Sequence, residues 1–204
     1  MNSVSQSSSD CYKSIAAPSK GIYKDKGSKF LAFAFPVESE DQCKEIISSL
    51  KKEYFDARHH CYAWRIGTHG ECWRANDDGE PSSTAGKPIY GQLLSNELSD
   101  ILIVVVRYFG GILLGTSGLI VAYKSASADA IANAQIVEKI ASARYHVEFD
   151  YSQMNAVMKC LKDMRLPVEE PDFGSQCALT TRVRNSLEAA FLETMQKIAI
   201  CQKV

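Results

Sequence analysis

From Ile101 to Val106 the chain reads Ile-Leu-Ile-Val-Val-Val, six residues with no polar member. A run of strand length, rich in β-branched side chains, suits a strand buried on both faces, so the fold has to wrap around it. The apolar character continues to Tyr123, which is long enough to span a bilayer. Arg107, the pair Gly110-Gly111 and Thr116-Ser117 interrupt it, and an arginine well inside a span costs about 2.5–3.5 kcal/mol on insertion scales. The stretch therefore reads as a central strand, a glycine turn and a helix over Ser117 to Ala134. The small alanine and serine side chains of that helix would let it lie close to a sheet. No membrane partner is expected.

The flanking pattern supplies the rest of an α+β domain. Gly21 to Asp25 and Ser28 to Val37 read as strands joined at a Lys26-Gly27 turn. Ser39 opens a helical pattern that puts Cys43, Ile46, Ile47 and Leu50 on one face, with acids early and lysines late as the helix dipole favours. His59 to Ile66 reads as a strand, Gly67 to Gly70 as its turn and Glu71 to Ala75 as its return. A polar loop then leads into a helix ending near Asn96. A boundary falls around Lys139 to Ala143. Beyond it the order is a strand (Arg144 to Asp150), a helix (Ser152 to Met164), two strands broken near Phe173-Gly174, a helix (Ser186 to Gln196) and a short strand. That order fits a ferredoxin-like half-sandwich. The expected organisation is a tail over residues 1–18, a first domain over 19–140 and a second over 141–204.

Charge excludes a global electrostatic partner: 23 basic residues stand against 24 acidic ones, so nucleic-acid binding would have to come from a local patch. Seven cysteines, at 11, 43, 61, 72, 160, 177 and 201, are odd in number and include no CxxC pair. They read as reduced thiols of a cytoplasmic protein, with no disulfide-linked partner. The N-terminus MNSVSQSSSD has neither a basic start nor an apolar run and reads as a disordered serine-rich tail, not a signal peptide.

Polar chemistry gathers between Asp56 and Tyr123. With the hairpin turn centred at Thr68-His69, positions summing to about 137 face each other, which sets His60 opposite Asp77 and His59 opposite Asp78. Alternation sends His59 and Cys61 to one face and His60, Tyr62 and Trp64 to the other. A slip of one residue exchanges the partners. In either register imidazoles and carboxylates should converge, with Glu80 close by. The cluster has three readings. A His-carboxylate pair would act as general base; His59, Asp78 and Glu80 would hold a divalent metal; or the acids would only build a turn, since Asp78-Gly79 is a strong turn signal.

Other motifs fail on spacing. Cys61, His69 and Cys72 do not make a zinc site, because the register puts Cys72 roughly 13 Å along the strand from Cys61. Gly110 to Ser117, GGILLGTS, has Thr116 where a phosphate-binding loop needs lysine. Thr116 would still cap the next helix and leave backbone amides for an anion, or the glycines would serve close packing. Gly115-Thr-Ser-Gly118 lacks a residue that a nucleophile elbow requires. Lys87, at a helix start, and Arg107, at the end of the central strand, would add positive charge for an anion. Alternatively Lys87 is solvated and Arg107 pairs with Asp77, Asp78 or Glu80.

Three segments carry a family resemblance: DARHHCYAW (Asp56 to Trp64), DDGEPSSTAGKP (Asp77 to Pro88) and VVVRYFGGILLGTSGLIVAY (Val104 to Tyr123). In order, spacing and content they closely resemble the signature blocks of the IMPACT/YigZ family. The resemblance implies a first domain with the fold shared by ribosomal proteins and domain IV of elongation factor G, and a ferredoxin-like second domain similar to another module of that factor. The resemblance implies that eukaryotic members modulate translation under starvation by competing, through an extra N-terminal domain that this sequence lacks, for the ribosome-bound activator of an initiation-factor kinase, so that partner is not carried over. For bacterial members the resemblance points to RNA or ribosome binding. The signature positions carried over are His59, Asp77, Asp78, Gly79, Glu80, Thr84, Gly86, Arg107, Tyr108, Gly110, Gly111 and Gly115. Ser83 and Ser117 depart from the pattern, standing where glycine is frequent. The expectation is a translation-associated binding protein with no cofactor and no metal, using these residues and Lys87. A hydrolytic enzyme using His59, Asp78 and Glu80 is the alternative.

Overall fold

The computed structural model describes residues 10–174 and 176–204. It is a mixed α/β chain with antiparallel sheets. By internal contacts it divides into two compact units, Tyr12–Lys139 and Ile140–Val204, with Asp10 and Cys11 grouped with the second. The sequence placed a tail over residues 1–18. Residues 1–9 lie outside the described part, and Cys11–Ile15 is a strand, β1. The tail expectation is corrected there.

In the first unit Ser19–Asp25 (β2) and Ser28–Pro36 (β3) form a hairpin whose turn residues, Lys26 and Gly27, both take positive φ. Next come Glu40–Glu53 (α1), His59–Ile66 (β4), Cys72–Asn76 (β5), Gly86–Ser95 (α2), Ile101–Tyr108 (β6), Gly115–Ala132 (α3) and Ile136–Ile140 (β7). Ser39 caps α1 by accepting the Gln42 amide at 3.3 Å. The main sheet runs β2-β3-β6-β4-β5, with β6 in the middle as its unbroken apolar run requires. β1 pairs with β7 in a small separate sheet.

Alternation along β6 feeds two cores. Ile101, Ile103 and Val105 pack with Ile89 and Leu93 of α2 and with Leu119, Ala122, Tyr123, Ala126 and Ala130 of α3. Leu102, Val104 and Val106 pack with Cys43, Ile47 and Leu50 of α1 and with Trp64. Small side chains do let α3 close on the sheet: a Cβ on Gly21 of β2 would lie 2.2 Å from the Ala130 amide nitrogen.

The second unit contains Ser142–Phe149 (β8), a 3₁₀ turn at Tyr151–Gln153 leading into Met154–Asp163 (α4), Glu169–Phe173 (β9), Cys177–Arg184 (β10), Asn185–Met195 (α5) and Ile200–Lys203 (β11). The sheet order is β11-β8-β10-β9, antiparallel throughout. Val147, Leu179, Phe191 and Met195 anchor its core. No helix among the described residues is long and apolar enough to cross a membrane. Cys43, Cys61, Cys160 and Cys177 are buried thiols outside any disulfide.

Candidate functional site

The hairpin register decides how the polar cluster is built. The pairs Tyr62↔Asn76 through Ile66↔Cys72 sum to 138, one more than the sequence expected. The Glu71 carboxylate accepts the His69 amide at 3.1 Å and the Thr68 hydroxyl at 3.2 Å, so Glu71 belongs to the turn and the strand resumes at Cys72. Asp78 therefore comes opposite His60. It accepts the His60 amide at 2.7 Å and the Lys51 ammonium at 2.8 Å.

The expected convergence of His59, Asp78 and Glu80 splits between the two faces of the sheet. On the α3 face, His59, Arg107 and Phe30 form one row across β4, β6 and β3. Arg107 donates from Nη1 to Glu80 Oε1 at 2.5 Å, and the Tyr123 hydroxyl donates to the same oxygen at 2.8 Å. The Arg107 and Glu80 side chains are only 7% and 3% exposed. The guanidinium also lies 5.5 Å from the Phe30 ring centroid and 5.7 Å from that of Phe109. Burial, with Cys61 and Glu80 alongside, drives the Tyr123 phenol strongly upward, and burial also raises the Cys61 thiol, so both stay protonated.

His59 Nδ1 lies 2.8 Å from the Asp78 carbonyl oxygen. A carbonyl only accepts, so Nδ1 carries the proton, and Nε2 keeps a lone pair when the ring is neutral. Nε2 stands 3.9 Å from Glu80 Oε1. The pair has the atoms of a base, but Glu80 already serves Arg107 and Tyr123. Asp78 turns its carboxylate to the other face, towards His60 and Lys51. Among the described residues no group of three or more His, Cys, Asp or Glu side chains is placed to hold a metal ion.

Asp77 builds the loop. Its Oδ1 accepts the Ala85 and Gly86 amides at 3.0 and 2.8 Å, and its Oδ2 accepts the Ser83 amide at 2.9 Å. These bonds cap α2 and fold residues 77–86 against the end of β5. Gly86 completes the fit, because a Cβ there would stand 2.6 Å from the Asn76 amide nitrogen. Thr84 is buried and donates to the Pro81 carbonyl at 2.6 Å. Ser83 has φ 65°, which accounts physically for a preference for glycine at that position.

The remaining signature residues are also structural in their contacts. The Tyr108 hydroxyl donates to Asp56 at 2.8 Å. Gly110 is pressed onto the β2–β3 turn, where a Cβ would lie 1.9 Å from the Gly27 carbonyl carbon. Gly111 takes φ 87°. Gly115, at φ 71°, already opens α3. Thr116 is thus inside the helix and not its cap, since Leu114 occupies the capping position without a side-chain bond.

Of the candidates, Lys87 alone combines exposure with a free charge, having no hydrogen-bond or ion-pair partner among the described residues. It borders a cavity of about 650 Å³ between β5 and α2, lined also by Trp73, Tyr90, Leu94, Ser82 and Ser83. The Trp73 and Tyr90 rings stack with centroids 4.6 Å apart and planes 23° apart. Sequence reasoning missed this pair. An outward tryptophan on a strand of mixed polarity was the one available signal, whereas the pairing depends on how α2 docks. In the second unit, cations on the exposed sheet face are paired: Arg144 with Glu170 at 2.7 Å, and Arg182 with Glu169 at 3.0 Å.

The stretch over residues 26–131, which holds all of these candidates, matches the Impact N-terminal domain. The chain belongs to the IMPACT family. IMPACT family member YvyE of Bacillus subtilis is 33% identical over 171 residues, covering 84% of this chain and 79% of that protein. IMPACT family member YigZ of Escherichia coli is 36% identical over 144 residues, covering 70% and 71%. A crystal structure described as that of a hypothetical protein superposes with a TM-score of 0.69 at 28% identity, covering 95% of this chain and 97% of that one.

Proposed function

We propose that this IMPACT family protein is a translation-associated regulator of the cytoplasm that binds RNA or the ribosome through its first unit. The observation that carries the reading is the Asp77-clamped loop, which leads into a helix whose unpaired Lys87 lines the same cavity as the exposed aromatic Trp73. Cations beside stacking faces are what single-stranded RNA binding uses. The family resemblance, whose eukaryotic members modulate translation, supports the same direction. We read the first unit as ribosomal-protein and elongation-factor-G domain IV-like. The strand order β11-β8-β10-β9 supports a ferredoxin-like second unit.

Two features define the expected strength. The near-zero net charge gives no global attraction to a polyanion and Glu80 occupies Arg107, so binding should be weak and salt-sensitive. The hydrolytic alternative has less support, because Asp78 and Glu80 are held by different partners on opposite faces of the sheet. The test is co-sedimentation with ribosomes and with mixed RNA across a salt series, beside Lys87→Ala. Binding that weakens with salt and with the substitution is expected. No binding at low salt overturns the reading.

A further inference from the structure

The cavity between β5 and α2 has a chemical polarity of its own. At one end the stacked Trp73–Tyr90 pair presents an aromatic face, with Trp73 56% exposed. At the other stand the Lys87 ammonium and the Ser82 and Ser83 hydroxyls, none with a side-chain hydrogen bond among the described residues. Asp77 also borders the space, but backbone amides occupy both of its carboxylate oxygens. Gly91 adds an independent observation. It sits inside α2, where glycine is unfavourable, yet beyond its chain neighbours and the backbone of its own helix nothing lies within 4 Å of where its Cβ would be. Packing within the protein does not require glycine there. A side chain at this position would instead occupy space that Gly91 leaves open in the lining of the cavity.

The geometry points to an unpaired nucleotide of single-stranded RNA as the occupant, its base stacked on Trp73 and its phosphate at Lys87 and the two serines. Taking the strand to be RNA rests on the function proposed above. The cavity volume is that of a small-ligand site, and its two ends match the two ends of a nucleotide: a π face for the base, a cation and hydroxyl donors for the phosphate. A duplex keeps its bases stacked on each other and offers no free face.

Tryptophan fluorescence reads this site directly. The chain has two tryptophans, and Trp64 is 1% exposed and stacked on Tyr62, so quenching by a ligand reports Trp73. The purified chain is titrated with a short single-stranded RNA, the same sequence as duplex, and a mononucleotide. Affinities are measured in parallel by anisotropy of labelled RNA. Saturable quenching is expected with the single strand, none with the duplex, and only weak quenching with the mononucleotide. Trp73→Phe should keep the affinity and lose the quench. Trp73→Ala should weaken binding roughly 5- to 150-fold, the range for one stacked base. Gly91→Leu, which fills the cavity from a position with open space, should weaken it as well, with both variants checked for folding by their thermal transitions.

Single-strand binding unchanged in Trp73→Ala and Gly91→Leu overturns the pocket and leaves the proposed function standing. Absence of binding to RNA and ribosomes by the unmodified protein overturns both. Equal affinity for mononucleotide and strand overturns the strand assignment in favour of a free-nucleotide site. Ribosome binding lost in Trp73→Ala without any binding to naked RNA overturns it in favour of a protein surface.

Discussion

Glu80 and Arg107 meet at 2.5 Å inside the first unit, with Tyr123 donating to the same carboxylate oxygen. Because both charges are buried, removing one leaves the other without compensation. Arg107→Ala should destabilise by roughly 3–5 kcal/mol, and Glu80→Ala by a similar amount. The double variant Glu80→Leu/Arg107→Met should recover most of that loss, since an apolar pair of similar volume removes both desolvation penalties together. Urea unfolding of the three variants checks this. Strictly additive losses would contradict a coupled buried pair.

Asp77 holds three amides with one carboxylate. Asp77→Ala frees all three and uncaps α2, at a cost of about 2–4 kcal/mol. Because Lys87 and the cavity wall are set by this loop, ribosome or RNA affinity should fall in the same variant although Asp77 is not a contact. Hydrogen exchange of the Ala85 and Gly86 amides locates the change. Protection equal to that of the parent protein would remove Asp77 from the role of clamp.

What was legible in the chain followed from local pattern. Ile101 to Val106 gave away the central strand because only a doubly buried position accepts six consecutive apolar residues. Lys26-Gly27 marked the β2–β3 turn, where both residues take positive φ. The hairpin register was displaced by one residue because Glu71 acts as a side-chain partner inside the turn, a role its identity does not announce. That single step moved Asp78 opposite His60 and separated it from Glu80. Tyr123 is distant in sequence from the cluster it completes and reaches it because α3 folds back over β6. β7 escaped notice because its alternation of exposed and half-buried residues carries no core signal.

Ser83 stands at φ 65° without the freedom of glycine. Ser83→Gly should raise stability by about 1 kcal/mol, the cost of holding an L-residue in the left-handed region. A thermal melt of the variant measures it, and a lower midpoint would mean that the serine side chain compensates for the backbone.

Adjacent glycines in the loop after β6 should respond unequally. Gly110→Ala drives a Cβ into the backbone of Gly27 and Ser28, at 1.9 and 2.2 Å, where no flexible side chain can give way. The loss should exceed about 3 kcal/mol. Gly111→Ala meets open space and bears only its φ of 87°, so about 1–2 kcal/mol is expected. Equal losses at the two sites would count against close packing as the reason for the first glycine.

Acid should weaken the first unit in two separate steps. Burial holds the His60 imidazole below its usual value of 6.5, against the pull of Asp78, and its Nε2 has no hydrogen-bond partner. The folded state therefore resists protonation that the unfolded chain accepts. Stability from this group is complete above about pH 6.5 and is lost as the pH falls through the lower folded value. For Asp78 burial acts to raise the pKa, but hydrogen bonds from Lys51 and the His60 amide outweigh it and hold the carboxyl below 3.8. Its contribution is present above that value and disappears as the pH falls through the folded one. His60→Phe keeps an aromatic ring in place and cannot titrate, so it should abolish the upper step and leave the lower one in place. Urea midpoints measured from about pH 3 to pH 8 separate the two. An upper step that survives in His60→Phe would place its origin in another group.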